Sequence, residues 1–201
     1  MMWNLYSVDN DFKILVVSQP KAGTYLCGNI LEELGFHHTY IHISESKHEK
    51  YDPNNMEANR KTPQKFTQKS QPQKSINLIG DGAFGMTHIQ RNKQIDNTVK
   101  GFKIIFLERP FEDAKKSWDR FVKQSKRPSS NPKMNKKYFD RLQSWKKLPN
   151  VFTLTFDQMI SDDITAINEL QRWLWGEVKH NSKKVLANAK SKDSLTKSKI
   201  R

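Results

Sequence analysis

A loop with one lysine and one glycine lies near the start of the sequence, between an apolar run and an amphipathic helix. The apolar run covers residues 14–17, and the loop covers residues 18–23 and contains Lys21 and Gly23. The first N–H groups of a helix have no partner within the helix and carry partial positive charge, to which Lys21 adds a full charge. This order predicts a binding site for an anion such as a phosphate group. A plain strand-to-helix turn with an incidental lysine would show the same pattern.

The loop differs from the P-loop of nucleoside triphosphate-binding proteins. That motif has a glycine, four further residues and then Gly-Lys-Ser or Gly-Lys-Thr. Here Lys21 precedes Gly23, and the loop contains no second glycine. A P-loop kinase would also need an aspartate for Mg²⁺ after a strand, and none is evident. A nucleotide kinase is therefore disfavoured.

Three more polar side chains lie at or near the ends of predicted strands. Arg109 follows the strand predicted for residues 102–107, where a guanidinium offers forked, charge-assisted hydrogen bonds. Ser117 lies about two helical turns later and adds a hydroxyl. His88 comes near the end of the strand predicted for residues 84–89, and histidine titrates near neutral pH, so it can act as a general base.

Arg109 and Ser117 each also have an interpretation that involves no ligand. Arg109 could form a surface ion pair with Glu112 or Asp113, which follow it closely in the sequence. Ser117 could bond to the backbone of its own helix, as serine often does. Arg109 and Ser117 therefore indicate a binding site only in combination with the Lys21 loop.

Strand and helix patterns alternate along the chain, which is typical of a three-layer α/β fold with a mostly parallel sheet. The runs with strand character cover residues 14–17, 39–43, 84–89, 102–107 and 151–155, and residues 76–79 fit either a short strand or a loop. Helical patterns end at Gly35, cover residues 111–123 and 135–147, and extend from a cap at Asp162 to Leu174. Ligands of such sheets bind at the carboxyl ends of the strands, where residues 20–24, His88 and Arg109 fall.

The composition of the sequence indicates which kinds of binding partner and which cellular compartment to expect. The 201 residues suffice for one domain, and the formal charge of +14 favours anionic partners such as nucleotides, acidic polymers, nucleic acid or a membrane surface. Cys27 is the single cysteine and lies on an apolar helix face, so it fills the core and forms no intramolecular disulfide. Because the sequence has neither a secretory signal nor an apolar run of about 18 residues, we expect a cytoplasmic protein without a membrane span.

The chain divides into a domain and a tail by composition. Residues 1–178 carry the strand and helix patterns, and within them residues 45–74 form a polar loop that could be a lid, an acceptor-binding loop or a disordered segment. Residues 179–201 are rich in lysine and serine, and we expect them to be a basic C-terminal tail.

Taken together, these segments resemble the small, cytosolic-type sulfotransferases that use 3′-phosphoadenosine 5′-phosphosulfate. Residues 20–26, PKAGTYL, are similar to the 5′-phosphosulfate loop of that family. Residues 104–118 resemble its 3′-phosphate segment, in which a serine follows the arginine after eight residues, as Ser117 follows Arg109. The Thr-His pair that ends at His88 looks like the segment that carries the family's catalytic base. Residues 151–175 resemble a late strand, turn and helix that are structural in the family.

The resemblance implies a P-loop-like sulfotransferase fold and a sulfuryl transfer to a hydroxyl or amine, which leaves adenosine 3′,5′-bisphosphate (PAP). His88 would be the catalytic base, and Lys21 would stabilise the charge that grows on the leaving phosphate. The residues that the resemblance assigns to the nucleotide are Lys21, Ala22, Gly23, Thr24, Tyr25, Arg109 and Ser117. The reaction needs no metal, and the histidines near residue 40 lack a second cluster of ligands, so we expect no metal site.

Several features depart from the family pattern. Met86 stands where cytosolic members have a lysine two residues before the catalytic histidine. The sequence has no counterpart of the Arg-Lys-Gly and Gly-Asp-Trp segments that close over the 3′-phosphate, and the residue that stacks on adenine is not identified. Because some carbohydrate-modifying members use a glutamate as base, Glu45 is an alternative to His88.

The charge of two segments bears on the class of acceptor. The basic segments 47–74 and 123–137 would suit an acidic sugar chain, so a carbohydrate acceptor is slightly favoured over a small phenol or a lipid-like alcohol. The alternative function is a non-catalytic protein that binds a nucleotide or an acidic polymer on the same fold. The missing clamp and Met86 favour that alternative, and the oligomeric state is not predicted.

Overall fold

The apolar runs of the sequence form one parallel sheet in a computed structural model of the chain, which describes residues 10–43, 72–125 and 134–199. The strands are β1 (Ile14–Ser18), β2 (His37–Ile43), β3 (Ala83–Thr87), β4 (Lys103–Glu108) and β5 (Val151–Thr155). Their order is β2-β3-β1-β4-β5, and each neighbouring pair is parallel. All residues of the central strand β1 are buried, as expected for a strand covered on both faces.

Helices cover both faces of the sheet. They are α1 (Thr24–Glu33), α2 (Pro72–Asn77), α3 (Lys93–Thr98), α4 (Phe111–Ser125), α5 (Lys136–Leu142), α6 (Phe156–Ile160), α7 (Thr165–Trp175) and α8 (Ser182–Lys199), with a 3₁₀ turn at Gln143–Lys147. Ile14 and Val16 of β1 share one hydrophobic core with α1, α6, α7 and α8, whereas Leu15 and Val17 share the other with α2, α3, α5 and the 3₁₀ turn. The predicted three-layer α/β fold with a mostly parallel sheet is therefore confirmed.

Some local predictions differ from the structure. Residues 76–79 were expected to form a strand or a loop, but residues 72–77 form α2, whose single buried residue Ile76 gives no clear period. The side chain that bonds the start of α7 belongs to Asp163, which accepts from the backbone N–H of Thr165 at 2.8 Å. Asp162, the expected cap, instead pairs with Lys190 at 3.2 Å.

The segment expected to be a basic tail contains α8, which packs against α1. Its apolar residues Val185, Leu186 and Ala189 are buried in the same core as α1, because their spacing places them on one side of a helix. Asn29 of α1 also donates to the backbone carbonyl of Ala189 at 3.2 Å. Residues 182–189 are therefore part of the folded core.

Two further expectations concern the polar loop and the membrane. The loop predicted for residues 45–74 lies outside the described residues, apart from positions 72–74, which begin α2. Within the described part of the chain, no helix has the length and apolar character that crossing a bilayer requires.

Candidate functional site

The loop between β1 and α1 adopts a backbone conformation that its glycine makes possible. Gly23 is the N-cap of α1 and has a φ of 87°, and it carries no side chain that could cap the first-turn N–H groups. A Cβ atom at Gly23 would lie 2.8 Å from both Met159 Cε and Phe156 Cδ2 of α6. The start of α1 is thus packed closely against α6, and its N–H groups retain the capacity to bind an anion.

His88 lies beside this loop because β3 is the neighbour of β1. Thr87 pairs with Val17 in the sheet, so the next residue of each strand, His88 and Ser18, come together. His88 Nδ1 lies 2.8 Å from the backbone oxygen of Ser18 and 2.9 Å from its Oγ. Ser18 Oγ in turn lies 2.7 Å from Thr24 Oγ1 in the first turn of α1. The structure therefore brings His88 to the loop through a shared serine.

Arg109 also contacts the loop, from the other neighbour of β1. Its Nη1 donates to the backbone oxygen of Lys21 at 3.0 Å, and its backbone N–H donates to Gln19 Oε1 at 3.0 Å. The guanidinium carbon lies 3.9 Å from the centre of the Phe156 ring. Of the two carboxylates that could have paired with Arg109 on the surface, Asp113 contacts Lys116 at 3.8 Å. The guanidinium of Arg109 therefore contacts the loop through a backbone carbonyl.

The side chain of Lys21 extends toward α4. Its Nζ lies 3.6 Å from the centre of the Phe121 ring and 5.5 Å from that of Trp118, within the range of cation–π attraction. Ser117 is half-buried on the same helix. The backbone of Lys21 thus meets Arg109, whereas its ammonium group lies on an aromatic pair of the helix that carries Ser117.

Burial shifts the pKa of two groups in this region. Burial lowers the pKa of the Arg109 guanidinium from its ordinary value, and the nearby carboxylates of Asp113 and Asp157 act in the opposite direction. Burial raises the pKa of the Cys27 thiol to about 12. Cys27 is therefore a core residue and not a nucleophile at neutral pH, as its helical position predicted.

A cavity of about 370 Å³ opens at the carboxyl ends of β4 and β5. Its walls include Gln19, Arg109, Phe111 and Phe156, which combine hydrogen-bonding groups with aromatic rings. Among the described residues, Lys21 and His88 are not part of its lining. Arg109 therefore lines this cavity while its guanidinium also contacts the loop between β1 and α1.

The other predicted site residues occupy different environments. Ala22 is fully buried, whereas Tyr25 is 60% exposed. Met86 is buried in the core against α1, at 6% exposure. Glu45, the alternative base, lies outside the described residues. The roles assigned to His88, Lys21, Arg109 and Ser117 stay predictions.

Sequence reasoning missed three residues that organise the loop: Ser18, Gln19 and Phe156. Ser18 and Gln19 are polar yet at most 3% exposed, and they directly follow an apolar strand. A buried polar side chain needs a hydrogen-bond partner, so their place at the strand end was a usable signal. The contact of Phe156 with Gly23 had no local signal, because it depends on how α6 packs.

Two solved structures are similar to this chain. One is mouse sulfotransferase SULT7A1 in complex with PAP, at 20% identity and a TM-score of 0.54, with 90% of this chain and 64% of that one covered. The other is retinol dehydratase in complex with androsterone and the inactive cofactor PAP, at 14% identity and a TM-score of 0.53, with 89% and 63% covered. No protein-family model and no curated protein matches the sequence.

The likeness extends over nearly all of this chain but only part of each neighbour. The chain spans about 64% and 63% of the length of the two proteins. At such low identities the likeness concerns the arrangement of strands and helices. The chain has the α/β fold of the sulfotransferases, as the resemblance of its sequence segments implied.

Proposed function

We propose that this chain is a sulfotransferase that moves a sulfuryl group from 3′-phosphoadenosine 5′-phosphosulfate to a hydroxyl or amine of an acceptor. One observation carries the proposal: the Lys21 loop, His88 and Arg109 lie at the carboxyl ends of β1, β3 and β4, which are adjacent in the sheet. That edge is where parallel α/β sheets bind their ligands.

The loop and its neighbours fit the phosphate groups of such a donor. Gly23 leaves the first-turn N–H groups of α1 without a side-chain cap, and Arg109 places its guanidinium against the backbone of Lys21. Lys21 supplies a second positive charge, whose ammonium lies on the Phe121 ring. In this proposal Lys21 and Thr24 bind the 5′-phosphate, and Arg109 and Ser117 bind the 3′-phosphate. When bound, the donor supplies a sulfuryl group attached to a phosphate leaving group.

His88 and Lys21 have distinct roles in the proposed reaction. His88 accepts the proton of the acceptor hydroxyl or amine. Lys21 stabilises negative charge on the leaving phosphate, and removal of such a preorganised donor commonly costs about 3 to 4 kcal/mol in the transition state. Because the Lys21 ammonium lies on the Phe121 ring, it must leave that ring to act, at a cost of about 0.5 to 1 kcal/mol.

The acceptor and the compartment belong to the same proposal. The formal charge of +14 favours an acidic acceptor, and we therefore place a carbohydrate ahead of a small phenol. We propose a cytoplasmic protein, because Cys27 is a free thiol buried in the core, as is usual for proteins of a reducing compartment.

A non-catalytic protein that binds a nucleotide or an acidic polymer is the second candidate. The buried position of Met86 favours it, because the cytosolic enzymes that this chain resembles have a lysine there. Such a protein would bind PAP or the polymer and transfer no sulfate.

Calorimetry with PAP tests the nucleotide site. We expect the wild-type protein to bind PAP and the double variant Lys21→Ala, Arg109→Ala to lose binding. A control variant, Arg172→Ala with Lys183→Ala, removes two exposed positive charges on α7 and α8 and should bind normally. Equal binding by the wild type and the loop variant would reject the site.

Transfer of labelled sulfate separates the two candidates. With a panel of sulfated and unsulfated sugars and phenols, we expect transfer by the wild type and none by His88→Ala, which should still bind PAP. PAP binding without transfer to any acceptor would favour the non-catalytic alternative. Full turnover by His88→Ala would assign the base to another residue. Magnesium-dependent ATP binding would restore the kinase hypothesis.

A further inference from the structure

Ser18 is a fully buried polar residue at the end of the central strand. Its hydroxyl lies between two groups that the proposed reaction uses, Thr24 of the loop and His88. A buried hydroxyl is costly unless it is hydrogen-bonded, and here each of its contacts leads to a different part of the site. The position therefore suggests more than a packing role.

The contact between His88 and the backbone of Ser18 determines where the ring carries its proton. Nδ1 lies 2.8 Å from the Ser18 carbonyl oxygen, which can only accept a hydrogen bond. Nδ1 must therefore carry a hydrogen, and in the neutral ring the basic lone pair is then on Nε2. The hydroxyl of Tyr138 donates to the backbone oxygen of His88, which further fixes the residue.

The same assignment gives the chain of hydroxyl groups a direction. The single Nδ1 hydrogen is shared between the Ser18 carbonyl oxygen at 2.8 Å and Ser18 Oγ at 2.9 Å. Ser18 Oγ therefore accepts from His88 and can direct its own proton to Thr24 Oγ1 at 2.7 Å. Thr24 then accepts from Ser18 and keeps its own proton for a bound anion. The series of donors runs from His88 through Ser18 to Thr24.

We propose that Ser18 is a positioning residue: its carbonyl holds His88 as the Nδ1–H tautomer, and its hydroxyl connects His88 to the phosphate-loop hydroxyl of Thr24. The inference rests on the proposed function, since it gives His88 the tautomer that a base acting through Nε2 requires. It also predicts that a phosphate bound at Thr24 changes the hydrogen bonding of the His88 ring.

Nitrogen NMR on the full chain tests the inference without an activity assay. In the wild type, the ¹⁵N shifts of neutral His88 should identify a protonated Nδ1, and PAP should change them. In Ser18→Ala we expect this PAP-induced change to be largely lost, with PAP binding weakened about two- to tenfold. Ser18→Thr, which retains the hydroxyl, should restore the change.

Ser182→Ala is the matched control. Ser182 is also buried, but its hydroxyl accepts from Gln171 and donates to Asn168, both on α7, so its loss should leave the His88 response unaltered. An Nε2–H tautomer in the wild type would overturn the inference, even if Ser18→Ala failed to fold. An unaltered PAP response in Ser18→Ala would do so as well. Failure of the wild type to bind PAP would reject the proposed nucleotide site itself.

Discussion

Arg109 donates a hydrogen bond from Nη1 to the backbone oxygen of Lys21 at 3.0 Å, so one predicted phosphate-binding residue holds the backbone of the other. The same guanidinium lies 3.9 Å from the centre of the Phe156 ring. Arg109 thus contacts the loop and α6 through a planar, forked group. Its contribution is one of shape as well as charge.

Replacement of Arg109 by lysine tests this view. Arg109→Lys retains the positive charge but loses the fork and the flat contact with Phe156, so we expect PAP binding to weaken about tenfold. Arg109→Ala, which also removes the charge, should weaken it further. Calorimetry measures both, and equal affinity of Arg109→Lys and the wild type would show that charge alone matters.

Gly23→Ala should disturb the loop in two ways: alanine disfavours the positive φ of this position, and its Cβ would clash with α6. The added Cβ would lie 2.8 Å from Met159 and Phe156, and overpacking of this kind costs about 1 to 3 kcal/mol. We expect PAP binding to be lost. The free energy of unfolding, measured with urea, should fall by about 1 to 3 kcal/mol more than it does in a control variant with the same backbone strain and no clash.

Gly101→Ala is that control. Gly101 has a φ of 84°, close to the 87° of Gly23, but nothing lies within 4 Å of the Cβ position. Its substitution therefore measures only the cost of a side chain in the left-handed region. Equal destabilisation by Gly23→Ala and Gly101→Ala would mean that Met159 and Phe156 of α6 move to accommodate the added Cβ without a cost in stability.

Phe121 stabilises the Lys21 ammonium in a position away from the loop. Phe121→Leu removes the aromatic face and with it about 0.5 to 1 kcal/mol of attraction. Because that attraction competes with phosphate, PAP should bind about two- to fivefold more tightly. Phe121→Tyr, which keeps the ring face, serves as the control in the same titration. Weaker binding by Phe121→Leu alone would indicate that the ring acts in the bound state instead.

Glu33 links α1 to α8 and should make the protein sensitive to acid. Burial raises its pKa, but hydrogen bonds from Lys192 at 2.5 Å and Asn188 at 2.7 Å lower it to a net value below the ordinary 4.5. A lowered pKa in the folded state stabilises the protein above pH 4.5, and this contribution is lost as the pH falls through the folded-state pKa.

Urea unfolding of Glu33→Gln at several pH values checks this linkage. The variant should be less stable than the wild type at pH 7, and the difference should shrink as the pH drops below about 4.5. Glu177→Gln, at an exposed carboxylate after α7, should show little difference at any pH. A constant deficit of Glu33→Gln across the pH range would contradict the linkage.

The centre of the sheet could be predicted from the sequence because β1 and β4 each contain an unbroken run of four apolar residues. β5 coincides with the predicted residues 151–155, and β1 extends the predicted run only by Ser18. The short helices α2 and α3 each bury one residue of their own, Ile76 and Ile95, so they carry no readable period. The core role of α8 was missed because Val185, Leu186 and Ala189, the buried apolar residues among its described side chains, stand among lysines.

Part of the site could not be predicted for a different reason. Lys21, His88 and Arg109 were identified from their residue types and from their positions at the ends of predicted strands. Their mutual contacts depend on the order β3-β1-β4, which no local pattern specifies. The contact between His88 and Ser18 joins residues 70 positions apart, and it exists because two strands are neighbours in space.

Lys21 has a φ of 65°, a left-handed conformation that costs an ordinary residue about 1 to 2 kcal/mol and a glycine almost nothing. Selection for heat resistance alone would therefore favour Lys21→Gly, whereas under the proposed function selection for activity would retain the lysine. A more heat-resistant variant that keeps the proposed activity would then need its stabilising substitutions at positions remote from the turn that follows β1.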